Sequence, residues 1–163
     1  MTVTFDDSVP VLAFDTSTEW LAVAVQRDGA SWQRVEAGGA RASQRLLPLV
    51  QEVLREAGVA LGELGLIGFG AGPGAFTGLR AACAAAQGLA WGLGLPVVPV
   101  NTLLAVALGQ ADAAPVLVAD DARMGELYWA LAERAGADWR LRQAPRVDAP
   151  AVLLHRTLGN ILY

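Results

Sequence analysis

Two short stretches of the sequence carry residue types that do chemistry. Asp15-Thr16-Ser17-Thr18 crowds a carboxylate and three hydroxyls into one polar turn. A loop that contacts phosphate or Mg²⁺ uses such a set, and the same side chains also satisfy the backbone of their own turn. Gly70-Ala71-Gly72-Pro73-Gly74-Ala75-Phe76-Thr77-Gly78 lies between an apolar run and a helical one. Its spacing allows G-x-G-x-x-A, but a dinucleotide fold adds an acidic residue about 20 positions further on. No Asp or Glu occurs between Ala81 and Ala111, and no Gly-Lys pair makes the loop a P-loop. Two readings remain: backbone amides forming an anion nest at a helix start, or a tight crossover where glycines let two backbones approach.

Residue counts narrow the chemistry further. All 12 basic residues of the 163 are Arg, so no Schiff-base or general-base lysine exists. His155 is the one histidine and Cys83 the one cysteine. Any Ser-His-Asp or Cys-His catalysis would have to pass through His155, and a zinc site would lack ligands. We therefore expect no catalytic residue, no metal ligand and no tightly bound cofactor. A disulfide framework is excluded, which fits a reducing, cytoplasmic setting. The net charge of −4 argues against binding nucleic acid alone by counterion release, so RNA is expected only through a basic partner.

These residues need elements to hold them. Val11 to Phe14, Leu21 to Gln26 and Trp32 to Glu36 read as strands of an N-terminal meander, with the Asp15 turn between the first two. Ser43 is a candidate N-cap for a helix on Leu46, Leu47, Val50, Val53, Leu54 and Ala57, stopped by Gly58. Leu66 to Phe69 is an apolar strand, Leu79 to Leu93 a helix, Val97 to Val100 a strand, Thr102 to Leu108 a short helix and Val116 to Ala119 a strand. Glu126 to Leu131 begins another strand, and the pattern weakens beyond Gly136. Strands alternating with helices after a meander imply an α/β sheet with parallel members. The uncharged stretch from Ala81 to Ala111 is not a membrane span, because it is rich in Ala and Gly and broken by Gln87, Pro96 and Pro99. Met1 to Pro10 carries Asp6 and Asp7 and no leader pattern, so no secretory or transit segment is expected.

The helix from Leu79 to Leu93 is apolar almost all round, with Gln87 the main exception. Such a helix must be covered on every side. It is either wholly buried in the chain or shared with a partner, whose helix the small side chains would admit closely. Arg45 and Arg80 are placed to rim such a patch.

Five ordered segments carry a resemblance: Val11-Leu-Ala-Phe-Asp-Thr-Ser-Thr-Glu19, Ser43-Gln-Arg-Leu-Leu-Pro48, Gly70 to Arg80, Ala86-Gln-Gly-Leu-Ala90 and Asp121-Ala-Arg-Met-Gly-Glu-Leu-Tyr-Trp129. Together they resemble the TsaB (YeaZ) family of tRNA threonylcarbamoyladenosine (t6A) biosynthesis subunits. The resemblance implies an actin-like ATPase (ASKHA, ribonuclease H-like) fold, with residues 1–114 as a first lobe and 115–163 as an incomplete second lobe. It implies a cytoplasmic, non-catalytic scaffold and paralogue of the transferase TsaD, which modifies adenosine 37 of tRNAs reading ANN codons. TsaD would be the heterodimer partner, the ATPase TsaE would join the complex, and the chain alone would form a homodimer. An enzyme of the TsaC or Sua5 type would supply threonylcarbamoyl-adenylate. The family interface maps onto Leu46, Leu47, Val50, Val53, Leu54, Leu79, Cys83, Ala86 and Ala90.

Asp15, Thr16, Ser17 and Thr18 match the phosphate-binding turn of ASKHA kinases, so ATP or ADP with Mg²⁺ is expected at most at the level of the complex. Where TsaD carries metal-binding histidines, Asn101 to Ala107 has none. Ala42, Ala71 and Ala75 replace the His, Arg and Ser common in the family, removing polar roles there, and Gly159-Asn160 echoes a family Gly-Asn-Gly segment. Two alternatives stay open. An ASKHA phosphotransferase would use Asp15 with Asp120 or Asp121, and a peptidase would need a nucleophile and base that the chain hardly offers.

Overall fold

The computed structural model describes residues 6–109, 115–136 and 138–159, the last stretch with side chains to residue 155. Asn160, within the Gly-Asn echo, and residues 1–5 of the stretch Met1 to Pro10 lie outside them. The chain divides into two compact units, residues 1–100 and 101–163.

Alternation of buried and outward residues in β1 and β2 builds the centre of the first sheet. Strands β1 (Val11–Asp15), β2 (Trp20–Arg27) and β3 (Ala30–Ala37) form an antiparallel meander, and β4 (Leu66–Gly70) and β5 (Val97–Val100) add parallel to β1, giving the order β3-β2-β1-β4-β5. Leu12, Phe14, Leu21, Val23, Val25 and Ile67 are buried together beneath helices α1 (Ala42–Ala57) and α2 (Phe76–Leu93). The pleat puts these residues on one face. Gly58 and Gly94, at φ of 63° and 68°, end the two helices in the left-handed conformation that favours glycine.

Both helices begin earlier than the sequence pattern predicts. α1 starts at Ala42 after a 3₁₀ turn at Gly39–Arg41, and Arg41 at its N-cap offers no side-chain cap, so Ser43 does not cap it. α2 starts at Phe76 and takes in Gly78. Arg45 is held by two carboxylates: its Nε donates to Glu36 at 2.6 Å and its Nη1 to Glu52 at 2.6 Å, fastening α1 to β3.

The second unit starts sooner than residue 115. Helix α3 (Thr102–Leu108), capped by the Asn101 side chain accepting from Leu104 N at 3.1 Å, packs with β6 (Val116–Arg123), β7 (Glu126–Ala135) and β8 (Asp138–Leu141). Its core is Leu103, Ala107, Val118, Ala130 and Ala132, so the boundary falls at Asn101. The segment beyond Gly136 is regular although its apolar pattern is faint: β8 pairs with one end of β7, β9 (Arg146–Asp148) with the other, and α4 (Pro150–Gly159) follows. These are short strands whose regularity comes from pairing with β7. The buried Trp129 donates from Nε1 to Asp148 Oδ2 at 3.0 Å. Among the described residues no helix is long and apolar enough to cross a membrane.

Candidate functional site

The polar turn and the glycine loop, far apart in sequence, meet in the first unit. Asp15 ends β1 and Gly70 ends the neighbouring parallel β4. Asp15 Oδ1 accepts from Ser17 N at 2.5 Å, and Thr18 Oγ1 accepts from Trp20 N at 3.1 Å. Thr16 Oγ1 donates to the Gly78 carbonyl at 2.6 Å, in the first turn of α2. Ala75 N donates to the Ser17 carbonyl at 2.6 Å. Thr16 and Ser17 are both 1% exposed.

Three glycines permit this contact. A Cβ at Gly70 would run into the Asp15 carboxylate, one at Gly74 into the carbonyl and Cβ of Ser17, and one at Gly78 into the Thr16 carbonyl. Loop and turn form an interlocked joint in which the Thr16 hydroxyl and the Ser17 amide are engaged within the chain. Of the two readings of the glycines, this geometry answers to the close backbone approach. Asp120 and Asp121, either of which a phosphotransferase would use with Asp15, lie in the other unit, on β6.

The second candidate surface is the outer side of α1 and α2, which pack against each other over one sheet face. The structure separates the nine residues expected there. Leu46, Val50, Val53, Leu54 and Ala86 point into the chain's own core, at 0–4% exposure, and are not surface, while Ala90, at 8%, is buried in the same core with an edge on the groove beside Trp91; the reason is that the sheet claims the most apolar stripe of each helix. Leu79 and Cys83 are half-buried, and Leu47 is exposed. The outward stripe of α2 is instead Phe76, Arg80, Ala84, Gln87 and Trp91, at three- and four-residue spacing. Trp91 is 92% exposed and Phe76 67%. The Arg80 guanidinium lies 3.9 Å from the Phe76 ring centroid, a cation–π contact that holds both at the helix start. Beside Trp91, an open groove of about 860 Å³ is lined by Ala84, Gln87, Gly88, Ala90, Gly94 and Leu95. Sequence reasoning missed Phe76, Ala84 and Trp91; the signal was their phase, about half a turn away from Ala82, Ala86 and Ala90.

His155 is exposed on α4 and Cys83 sits within α2, in different units, so they form no pair within either one.

Comparison with known proteins places these features in a family. Residues 37–160 match the family model described as TsaD, tRNA N6-adenosine threonylcarbamoyltransferase. The chain is 39% identical over 150 residues to the tRNA threonylcarbamoyladenosine biosynthesis protein TsaB of Escherichia coli, covering 90% of this chain and 65% of that protein. It is 40% identical over 127 residues to TsaB of Haemophilus influenzae, covering 75% of this chain and 53% of that one. The solved structure of YeaZ from Pseudomonas aeruginosa superposes with a TM-score of 0.80 at 43% identity, over 86% of this chain and 68% of that chain. The chain thus spans between half and two thirds of the length of the two TsaB relatives. The mixed α/β fold of residues 6–100 agrees with a single ASKHA-like lobe.

Proposed function

Because the chain belongs to the TsaB (YeaZ) family, we propose that it serves in formation of t6A at position 37 of tRNAs reading ANN codons, as a non-catalytic scaffold that pairs with the transferase TsaD. The observation that carries this reading is the outward face of α1 and α2, where Leu47, Phe76, Ala84 and Trp91 stand in solvent beside an apolar groove. An exposed Trp of this kind is an interface anchor. Ala84 and Gly88 let a second helix come close. The same face serves for a homodimer when the chain is alone. The ATPase TsaE joins the pair, tRNA is reached through the complex, and any ATP or ADP with Mg²⁺ belongs to the complex, in the cytoplasm.

The joint at Asp15 to Thr18 has a structural task in this reading, setting the angle at which α2 leaves the sheet. The interface therefore consists of Leu47, Leu79 and Cys83 with the exposed Phe76, Ala84 and Trp91, while the buried residues of the same helices support it from beneath.

The test is association of the purified chain with TsaD from the same cell, by light scattering, together with t6A formation from tRNA and threonylcarbamoyl-adenylate. Trp91→Glu and Ala84→Arg change exposed positions, so the fold should survive by circular dichroism while association and t6A formation fall. Ala86→Arg puts a charge into the core and should unfold the chain. Normal pairing by both surface variants would refute the interface. Turnover by the isolated chain, abolished by Asp15→Ala, would favour a phosphotransferase instead.

A further inference from the structure

In a chain of net charge −4, residues 139–146, Trp-Arg-Leu-Arg-Gln-Ala-Pro-Arg, hold three Arg and no acidic residue, a density found nowhere else in the sequence. Strand pairing gathers them on one surface. β6 takes one edge of β7, and β8 and β9 pair with the two ends of its other edge, so residues 138–148 run beside β7 as an outer strand. Arg140 lies opposite Glu133 and Arg146 opposite Trp129, and alternate residues of a strand share a face, so Arg140, Arg142 and Arg146 stand on the same one. The side-chain bonds agree. Glu133 Oε1 accepts from Arg140 Nε at 3.1 Å and Nη2 at 2.9 Å, and its Oε2 accepts from Arg142 Nε. Arg134, opposite Trp139, is on the other face, 5.8 Å from that ring's centroid.

The charges on this face do not cancel along the outer strand. Three guanidiniums stand with two carboxylates, Glu133 and Asp148, and Asp148 accepts from the Trp129 indole at 3.0 Å. Asp121, the acid that β6 adds to this face, lies opposite Leu127 and pairs with Arg123. Arg146 is exposed and forms no ion pair among the described residues. A guanidinium has five N–H donors. Glu133 takes two from Arg140 and one from Arg142, whose side chains are 67% and 48% exposed, so most donors of the row are left for another acceptor. A row of guanidinium forks matches phosphate oxygens, which position a nucleic acid without reading its bases.

We propose that Arg140, Arg142 and Arg146 form a contact for the phosphodiester backbone of the tRNA on which the t6A assembly acts. The inference rests on the scaffold reading above and gives the second unit its own task in it. The acidic chain does not hold tRNA alone; the row adds phosphate contacts once the complex has brought the RNA near. The test titrates the full chain paired with purified TsaD with tRNA, between about 50 and 200 mM salt. Arg146→Gln breaks no ion pair and should lower the slope of log affinity against log salt by about one. Arg140→Gln and Arg142→Gln combined with Glu133→Gln remove both guanidiniums with the carboxylate between them, and should lower the slope further. Pairing with TsaD, by light scattering, should be unchanged in both. If the triple variant melts at lower temperature, Arg146→Gln alone decides. Unchanged tRNA affinity and slope with pairing intact would overturn the proposal and leave the scaffold reading standing. So would lost pairing with TsaD or TsaE at unchanged tRNA binding, which would make the row a protein contact. If the unsubstituted chain fails to pair with TsaD, the scaffold reading falls and this inference with it.

Discussion

Residues 6–100 and residues 101–159 use one device, a sheet with helix packed over a face, but they secure it by different means. The first unit buries Leu12, Leu21, Leu46, Leu49, Val53 and Ile67 to 1% exposure or less, from β1, β2, α1 and β4. The core cluster of the second is one Leu, one Val and three Ala, with Tyr128, Trp139 and Leu141 only half-buried around it. Buried methylenes supply most of the stability of such layers, about 0.8 kcal/mol each. The first unit is therefore expected to be the rigid platform that fixes the α1 and α2 face. The second is held more by strand pairing and by polar links such as Trp129 to Asp148.

The largest effect is expected from removing the interlock of turn and glycine loop, which among the described residues belongs to the first unit. Gly78→Ala drives a methyl into the Thr16 carbonyl, a backbone atom that cannot step aside, and displaces the bond from the Thr16 hydroxyl. We expect a loss of about 3 kcal/mol or more, in the range of overpacking combined with a broken buried hydrogen bond. Gly88→Ala in the same helix meets nothing within 4 Å and should stabilise by about 0.5–1 kcal/mol, because helical Ala is favoured over Gly. Urea unfolding of the pair checks both signs. Equal effects would mean that the joint is not tight.

A gentler test compares the units within one molecule. Amide hydrogen exchange should be slowest in β1, β4 and α1 and faster, by at least about tenfold, in the short strands β8 and β9. Equal protection throughout would show that the second unit opens only with the first.

What could be read beforehand follows the same division. Alternation marks β1 and β2, a 3.6-residue repeat marks α1, and continuous apolar runs mark β4 and β5, because the core of the first unit is large; Gly58 and Gly94 mark the helix ends. The pairing of the Asp15 turn with Gly70, Gly74 and Gly78 was not legible, since bonds across some 60 residues leave no local pattern; only the glycines hinted at a close approach. Six of the nine residues expected at a partner surface lie instead in the chain's own core, because an apolar stripe looks alike whether a sheet or a partner covers it. β8, β9 and α4 escaped because strands of four and three residues that depend on β7 carry too little periodicity.

The smallest expected effect compares one ionic clamp from each unit. In the first, Arg45 bonds Glu52, and this hydrogen bond, ahead of the charge attraction, holds the Glu52 carboxyl below the usual 4.5. In the second, Arg142 and then Arg140 bond Glu133 and hold it below the same value. A carboxyl whose folded pKa is depressed contributes stability above its unfolded pKa and loses it as pH falls through the folded one. Both clamps should therefore be intact at neutral pH and fail on acidification below about 4.5. The side chains stand partly in solvent, so the effect is modest and screened by salt. Glu52→Gln should flatten the acid limb of the stability curve for probes in β3 and α1, and Glu133→Gln for probes in β7 and β8. Residue-resolved exchange between pH 3 and pH 6 reads the two separately. If Glu133→Gln loosens its unit by a larger factor than Glu52→Gln does, the second unit relies more on its polar links, as its sparse core requires. If the order is reversed, the difference in core size does not govern how the two units are held.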